Sequence, residues 1–211
     1  MKHMQSVFRF LALAALTLVS SVALAQEAPD AMVKRVSQDV LQTIKTDPQV
    51  QQGNQARIRE VIESKLLPNF DFERMTALAM GRNWRSASPE QQKRLVDEFR
   101  TLLVRTYSSA LNQYRDQQID YKPLRMNPSD TDVVVHTSVQ KPGGSPIAMD
   151  YSMEKQASGW KCYDVVVAGV SLVTTYRDEF NGTIQSSGID GLIKTLSEKN
   201  RAPAPPAPPT K

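Results

Sequence analysis

Cysteine occurs once in this chain, as Cys162, so no internal disulfide staples the fold and stability has to come from packing. Histidine is nearly as scarce. His3 lies in an N-terminal segment read below as a leader, which leaves His136, and one histidine beside one cysteine cannot supply the ligands of a zinc site. No Gly-x-Ser-x-Gly nucleophile elbow occurs. Pro142-Gly143-Gly144-Ser145 lacks the lysine and the following helix of a phosphate loop, and reads as a hairpin turn. A strong charge bias is missing too: the formal net charge of +4 is halved when Lys2 and Arg9 leave with the leader, too mild a balance to point to nucleic acid. No apolar run approaches the roughly 20 residues of a membrane-spanning helix. The remaining chemistry is thin. His136 with Cys162, or Asp150 with Asp164, are the pairs available to an enzyme, and inert packing or solvated acids are the commoner explanation of both.

What is present begins with Lys2 and Arg9, an apolar stretch from Phe10 to Val19 and the small residues Ala23-Leu24-Ala25, the layout of a cleaved secretory signal over 1–25. The domain is expected over 26–200. Met32, Val33, Val36, Val40, Leu41 and Ile44 fall at helical spacing from Pro29 to Thr46, stopped by Pro48 and Gly53. A second helix is predicted from Gln55 to Leu67, and a short one through Met75 and Ala79, with Asp71 as cap and Gly81 as stop. Ser88-Pro89-Glu90-Gln91 is a capping box that opens a long helix to about Gln117. The period then changes to two. Ile119–Leu124, Thr131–Gln140, Ile147–Gln156 and Gly159–Val167 are four strand candidates joined by short turns, hence an antiparallel sheet. Ile147, Met149, Tyr151 and Met153 give the third strand a dry side, and Val133, Val135 and Val139 do the same for the second. Two helices, Leu172–Ser187 and about Gly191–Lys199, return over the sheet. Five prolines in the eleven residues from Arg201 to Lys211 predict an extended, dispensable tail at 201–211. The fold class expected is α+β, a single domain with a four-stranded twisted antiparallel sheet packed against several helices.

The stretch from Gly159 to Phe180 carries a family resemblance. Trp160, Lys161, Tyr163 and Asp164, then Gly169-Val170-Ser171-Leu172-Val173, then Tyr176-Arg177 and Phe180, resemble the pattern of the MlaC, or toluene-tolerance auxiliary, family. Phe70-Asp71-Phe72 with Met75, Ala79, Gly81 and Trp84, the Ser88 box, and Gly188 with Leu192 continue the likeness over nearly the whole chain. Cys162 departs from it, since an aliphatic residue is expected there.

The resemblance implies a periplasmic phospholipid carrier and not an enzyme. It implies an apolar cavity between sheet and helices, the phospholipid tails inside and the head group outside. No cofactor or metal is implied beyond the transported lipid. The implied partners are an outer-membrane lipoprotein complex (MlaA-like) and an inner-membrane transporter with a periplasmic ring (MlaD-like), served by a monomer that keeps outer-membrane lipid asymmetry. Each methylene kept from water is worth about 0.8 kcal/mol, so a sixteen-carbon tail represents roughly 12 kcal/mol and must be buried almost completely. Composition alone describes an ordinary filled core just as well. For the implied pocket, the apolar faces of adjoining elements nominate Phe99, Leu103, Tyr107 and Leu111 from the long helix, Val133, Val135, Met149, Tyr151, Met153, Val165 and Val167 from the sheet, and Val173, Tyr176 and Phe180 from the helix after it. A small-molecule enzyme of cone-shaped fold using Asp150, Asp164 and His136, a protein-binding adaptor, and a hopanoid carrier are the alternatives.

Overall fold

In a computed structural model of the chain, residues 26–111, 117–140 and 143–202 are described, with the backbone alone at 109–111. The expected leader at 1–25, positions 112–116 of the expected long helix, positions 141–142 and positions 203–211 of the expected tail lie outside the described residues. Arg201 and Ala202 close the last helix instead of beginning a tail: the Ala202 N–H bonds the Glu198 carbonyl at 3.1 Å, and the Arg105 guanidinium donates to the Ala202 carbonyl.

The first helix, α1 (Pro29–Thr46), buries Met32, Val33, Val36, Val40 and Ile44 on one stripe. Pro48 does not end helical structure as expected. Asp47 accepts the N–H groups of Gln49 (2.9 Å) and Val50 (3.3 Å), so Pro48 becomes the first residue of a one-turn helix, α2 (Pro48–Gln51). Asn54 caps α3 (Gln55–Val61). The regular helix expected to reach Leu67 gives way to a π-helical turn at Ile62–Leu66 and a 3-10 turn at Leu67–Asn69, which accommodates Pro68. Asp71 then caps α4 (Phe72–Met80) by accepting the Arg74 N–H at 2.8 Å, and Gly81, at φ +56°, ends it. A 3-10 turn (Gly81–Ser86) leads to α5 (Pro89–Leu111). Its capping box forms as the sequence indicates: the Gln91 N–H donates to Ser88 Oγ (3.2 Å), and the Ser88 N–H to Gln91 Oε1 (3.0 Å).

The sheet has five strands, not four: β1 (Gln118–Tyr121), β2 (Asp132–Gln140), β3 (Ile147–Gln156), β4 (Gly159–Val167) and β5 (Val170–Ser171), paired antiparallel in chain order. Pro123 has no N–H to offer a ladder, and β1 stops short of it. The extra strand exists because Ala168 (φ +50°) and Gly169 (φ +83°) reverse the chain in two residues, setting Val170 opposite Val167 and Ser171 opposite Val166. Two residues are too few to show a period. Beyond β5 the outer edge of β4 is met by another segment: the Asp71 N–H bonds the Cys162 carbonyl at 2.8 Å, and Phe70 bridges Cys162 in parallel.

Ser171 and Asp164 start α6 (Leu172–Arg201). Ser171 Oγ accepts the Thr174 N–H at 3.0 Å, and Asp164 Oδ1 accepts that of Val173 at 3.1 Å. The two returning helices read from the sequence are the halves of α6, parted by a kink at Gly188.

Three apolar clusters fill the fold. One lies among α4, α5 and α6, with Phe99, Phe180, Met75 and Leu192 fully enclosed. A second joins Met32, Val33 and Val36 of α1 to one face of the sheet. The third packs α1, α2 and α3 with Leu67. Phe70 touches the first two, Phe72 the first and third, and Leu66 the second and third.

Gly188 has φ 71° and ψ −178°, a conformation open essentially to glycine. Gly188→Ala is therefore expected to lower the unfolding free energy by about 1–3 kcal/mol. Gly182 sits in the same helix with open space around its Cβ position, and Gly182→Ala should raise stability by up to about 1 kcal/mol. Urea melts of the two variants check the contrast; equal effects would contradict the kink assignment.

Candidate functional site

Strand register sorts the nominated residues. Val133, Met153 and Cys162 form one row across β2, β3 and β4; Val135, Tyr151 and Val165 form the next; Thr137, Met149 and Val167 a third. All three rows face α1. A bulge keeps them aligned: Met153 pairs with Cys162 and Ser152 with Asp164, so Tyr163 is the extra residue, and the apolar parity is preserved on both sides of it. The face is dry at its centre, with Met153 at 0% and Val135 at 1% exposure, whereas Met149, Tyr151, Val133 and Val167 are only half-buried. Two of its few polar groups are satisfied within the face. Thr137 Oγ1 donates to the Met149 carbonyl at 2.8 Å, and Tyr151 Oη to Met149 Sδ at 2.9 Å.

The nominated helical residues stand elsewhere. Phe99, Leu103, Tyr107, Val173, Tyr176 and Phe180 belong to the cluster around α4. Phe99 meets Tyr176 and Phe180 edge-on, with centroids 5.0 and 5.1 Å away, which is the geometry of filled aromatic core. The side chain of Leu111 lies outside the described residues. The structure thus gathers the nominated residues into two groups, a sheet group and a helix group, bridged by Phe70. Sequence reasoning missed what separates and covers them. The stripe of α1 was legible, but not that Met32, Val33 and Val36 would cover the sheet, and Leu66 was legible as an apolar position of a regular helix but not as a residue of a π-helical turn set between two clusters.

The opposite face of the sheet is polar. Arg74 of α4 stacks its guanidinium over the Tyr163 ring at 3.5 Å and pairs with Asp132 (2.8 Å) and Glu154, while Tyr163 Oη donates to Asp132 Oδ1 at 2.7 Å. His136 sits on this exposed face, its Nδ1 2.9 Å from Asp150 Oδ1. Cys162 lies on the dry face with β3 between the two strands, so the pair considered on neighbouring strands does not meet. Asp164 is occupied as a helix cap, its Oδ2 also accepting Ser171 Oγ–H at 2.6 Å. Of the groups considered for catalysis, His136 and Asp150 meet on the exposed face, whereas Asp164 is engaged at the start of α6. Among the described residues no group of His, Cys, Asp and Glu is placed to hold a metal, and no helix is long and apolar enough to cross a membrane.

A dry sheet face under an N-terminal helix, beside a separate helical cluster, defines an α+β domain whose distinctive feature is apolar surface and not a polar reaction centre. The chain belongs to the MlaC family, whose model, described as MlaC protein, matches residues 34–198. It is similar to the intermembrane phospholipid transport system binding protein MlaC of Haemophilus influenzae, 24% identical over 189 residues that make up 88% of each chain. Toluene tolerance protein ttg2D of Pseudomonas putida is 25% identical over 82% of this chain and 80% of its own. Among solved structures, a phospholipid-binding protein from Ralstonia solanacearum in complex with a phospholipid superposes with a TM-score of 0.78 at 43% identity, covering 82% of this chain and 97% of that one.

Burial pushes the Cys162 thiol far above its ordinary value, so a thiol reagent at neutral pH should modify the native protein much more slowly than the unfolded chain. Equal rates would place Cys162 at the surface. Burial also raises Tyr163 and Tyr176 to about 12. A raised native pKa means the folded state holds its proton more tightly than the unfolded state. The stabilisation is complete below pH about 10, the unfolded value, and is lost as pH climbs towards 12. Chemical denaturation at stepped alkaline pH should show stability falling across that interval.

Proposed function

We propose that this chain is a periplasmic carrier that holds a phospholipid by its acyl chains and passes it between membrane-bound transport complexes. The observation that carries the reading is the half-buried apolar surface of Met149, Tyr151 and Val167 on the sheet and Leu172 at the start of α6, continuous with the buried Val135, Met153, Cys162 and Val165. Such a surface costs free energy unless something apolar covers it, and an acyl chain is a flexible apolar strand of suitable chemistry. The similar Ralstonia solanacearum protein is a phospholipid-binding protein in complex with its ligand, which supports the same ligand here. The name of the Haemophilus influenzae relative, a binding protein of an intermembrane phospholipid transport system, supports the shuttling role. The outer-membrane lipoprotein complex and the inner-membrane transporter with its periplasmic ring are the partners this reading calls for. A leader over 1–25 ahead of a domain from 26 to 200 fits export. No catalytic step is needed, and the transported lipid is the ligand; Phe99, Leu103, Tyr107, Leu111, Val173, Tyr176 and Phe180 form the helical wall of the chamber when it is filled.

Fully enclosed Met153 is a poor place to test volume, because a larger side chain there overpacks the core at about 1–3 kcal/mol. Met149 is better, being half-buried on the same face. Protein purified from its native compartment is expected to yield a two-chain phospholipid on organic extraction and mass spectrometry. Met149→Trp should reduce the lipid retained severalfold while the melting temperature moves little. Lipid-free native protein that takes up none from vesicles would end the carrier reading, and full occupancy in the folded Met149→Trp variant would remove Met149 from the wall.

A further inference from the structure

Two surface clefts border the apolar interior, and they differ in how their cations are used. Beside Trp160, a cleft of about 290 Å³ is lined by Arg35 and Lys161. Both are engaged, Arg35 by Glu27 at 2.8 Å and Lys161 by the Pro68 carbonyl. The second cleft, about 260 Å³, lies between α3 with its π-helical turn and the middle of α5, and is lined by Arg59, Arg100 and Arg105 with Glu63 and Asp97. Among the described residues neither Arg59 nor Arg100 forms an ion pair, although two carboxylates share their cleft. Arg100 lies 5.8 Å from the centroid of the Phe72 ring, and Arg105 donates to the Ala202 carbonyl. The cleft therefore holds an excess of one positive charge, and Arg59 and Arg100 are exposed.

Its remaining lining is Thr101 with the apolar Leu67 and Val104. Leu67 and Val104 belong to the cluster of α1, α2 and α3, which Leu66 joins to the dry face of the sheet. A cationic cleft thus adjoins apolar interior. Its volume is below the roughly 300 Å³ at which pockets for drug-sized molecules begin, so it suits a head group and not a pair of tails. The irregular backbone beside it is of the kind that recurs at functional sites.

We propose that this cleft seats the phosphodiester of a bound phospholipid, with Arg59 and Arg100 presenting paired donors to its non-bridging oxygens, Arg105 beside them, and the tails passing Leu67 and Val104. The assignment rests on the carrier reading above and adds to it a polar end. Guanidinium matches phosphate in charge and planar geometry. Tail burial already supplies ample affinity, so what the arginines contribute is selection: a diacylglycerol with the same tails offers them no anion.

The test is a competition. The mature chain is incubated with vesicles containing dioleoylphosphatidylglycerol and dioleoylglycerol in equal amounts, re-isolated, and its lipid quantified by mass spectrometry. The wild type is expected to favour the phospholipid by about tenfold, and Arg59→Gln/Arg100→Gln to bring the ratio within about twofold of the donor mixture. Arg59→Lys/Arg100→Lys, which keeps charge without the fork, should fall between. A wild-type measurement at raised salt makes the test independent of variant folding, since screening should erode the preference. An unchanged ratio in the folded double Gln variant, or a wild type without preference at any salt, overturns the head-group assignment while leaving the carrier intact. Calorimetric binding of inorganic phosphate, lost in the double variant whose lipid ratio is unchanged, assigns the cleft to free phosphate and likewise overturns it. A wild type that takes up neither lipid overturns the carrier reading itself.

Discussion

The sheet and the helical layer are joined at Phe70–Asp71, and the arrangement of both depends on that contact. The Asp71 N–H bonds the Cys162 carbonyl on the edge of β4, while the Asp71 carboxylate caps α4 and accepts Gln156 of β3. One residue thereby fixes where the sheet ends, where the helix begins and how the two are oriented. Phe70 fills the seam above, touching the clusters on both sides. Arg74, one turn into α4, adds ion pairs to Asp132 and Glu154 on the polar side of the same seam. These groups are partly exposed, so their net stabilisation is modest and their larger effect is on angle and register.

With the seam fixed, the two faces of the sheet are set apart in chemistry. The side under α1 carries three largely apolar rows with few polar atoms. The other carries His136, Asp150 and the Arg74 network, open to water. A carrier needs such a division, because a buried polar atom without a partner would cost about as much as several methylenes contribute. Cys162 fits the dry side as a small apolar residue, which is why departure from an aliphatic residue at that position does no harm to packing.

Local structure was largely legible in the sequence, and long-range assembly was not. The bounds of α1, β3 and β4, the Ser88 box and the Asp71 cap follow from periodicity and capping chemistry, which act over a few residues. The break at Gly188 was readable for the same reason. What escaped was what depends on distant contacts: the π-helical turn, which orients Leu66 between two clusters, and β5, which exists by virtue of its pairing with β4. Of the thirteen nominated residues whose side chains are described, seven are buried and six half-buried. Their division into two groups was not readable, because an apolar stripe does not state which neighbour it will meet.

The order of the sheet has a consequence for how the chain reaches this structure. Every strand pairs with its immediate neighbour in sequence, so the sheet can assemble by successive hairpins, each closing a short loop at low entropic cost. α1 is the exception, since its stripe packs on strands far downstream. The dry face is consequently complete only when the start of the domain folds back onto the strands, and until then its apolar rows stand open to whatever hydrophobic molecule arrives first.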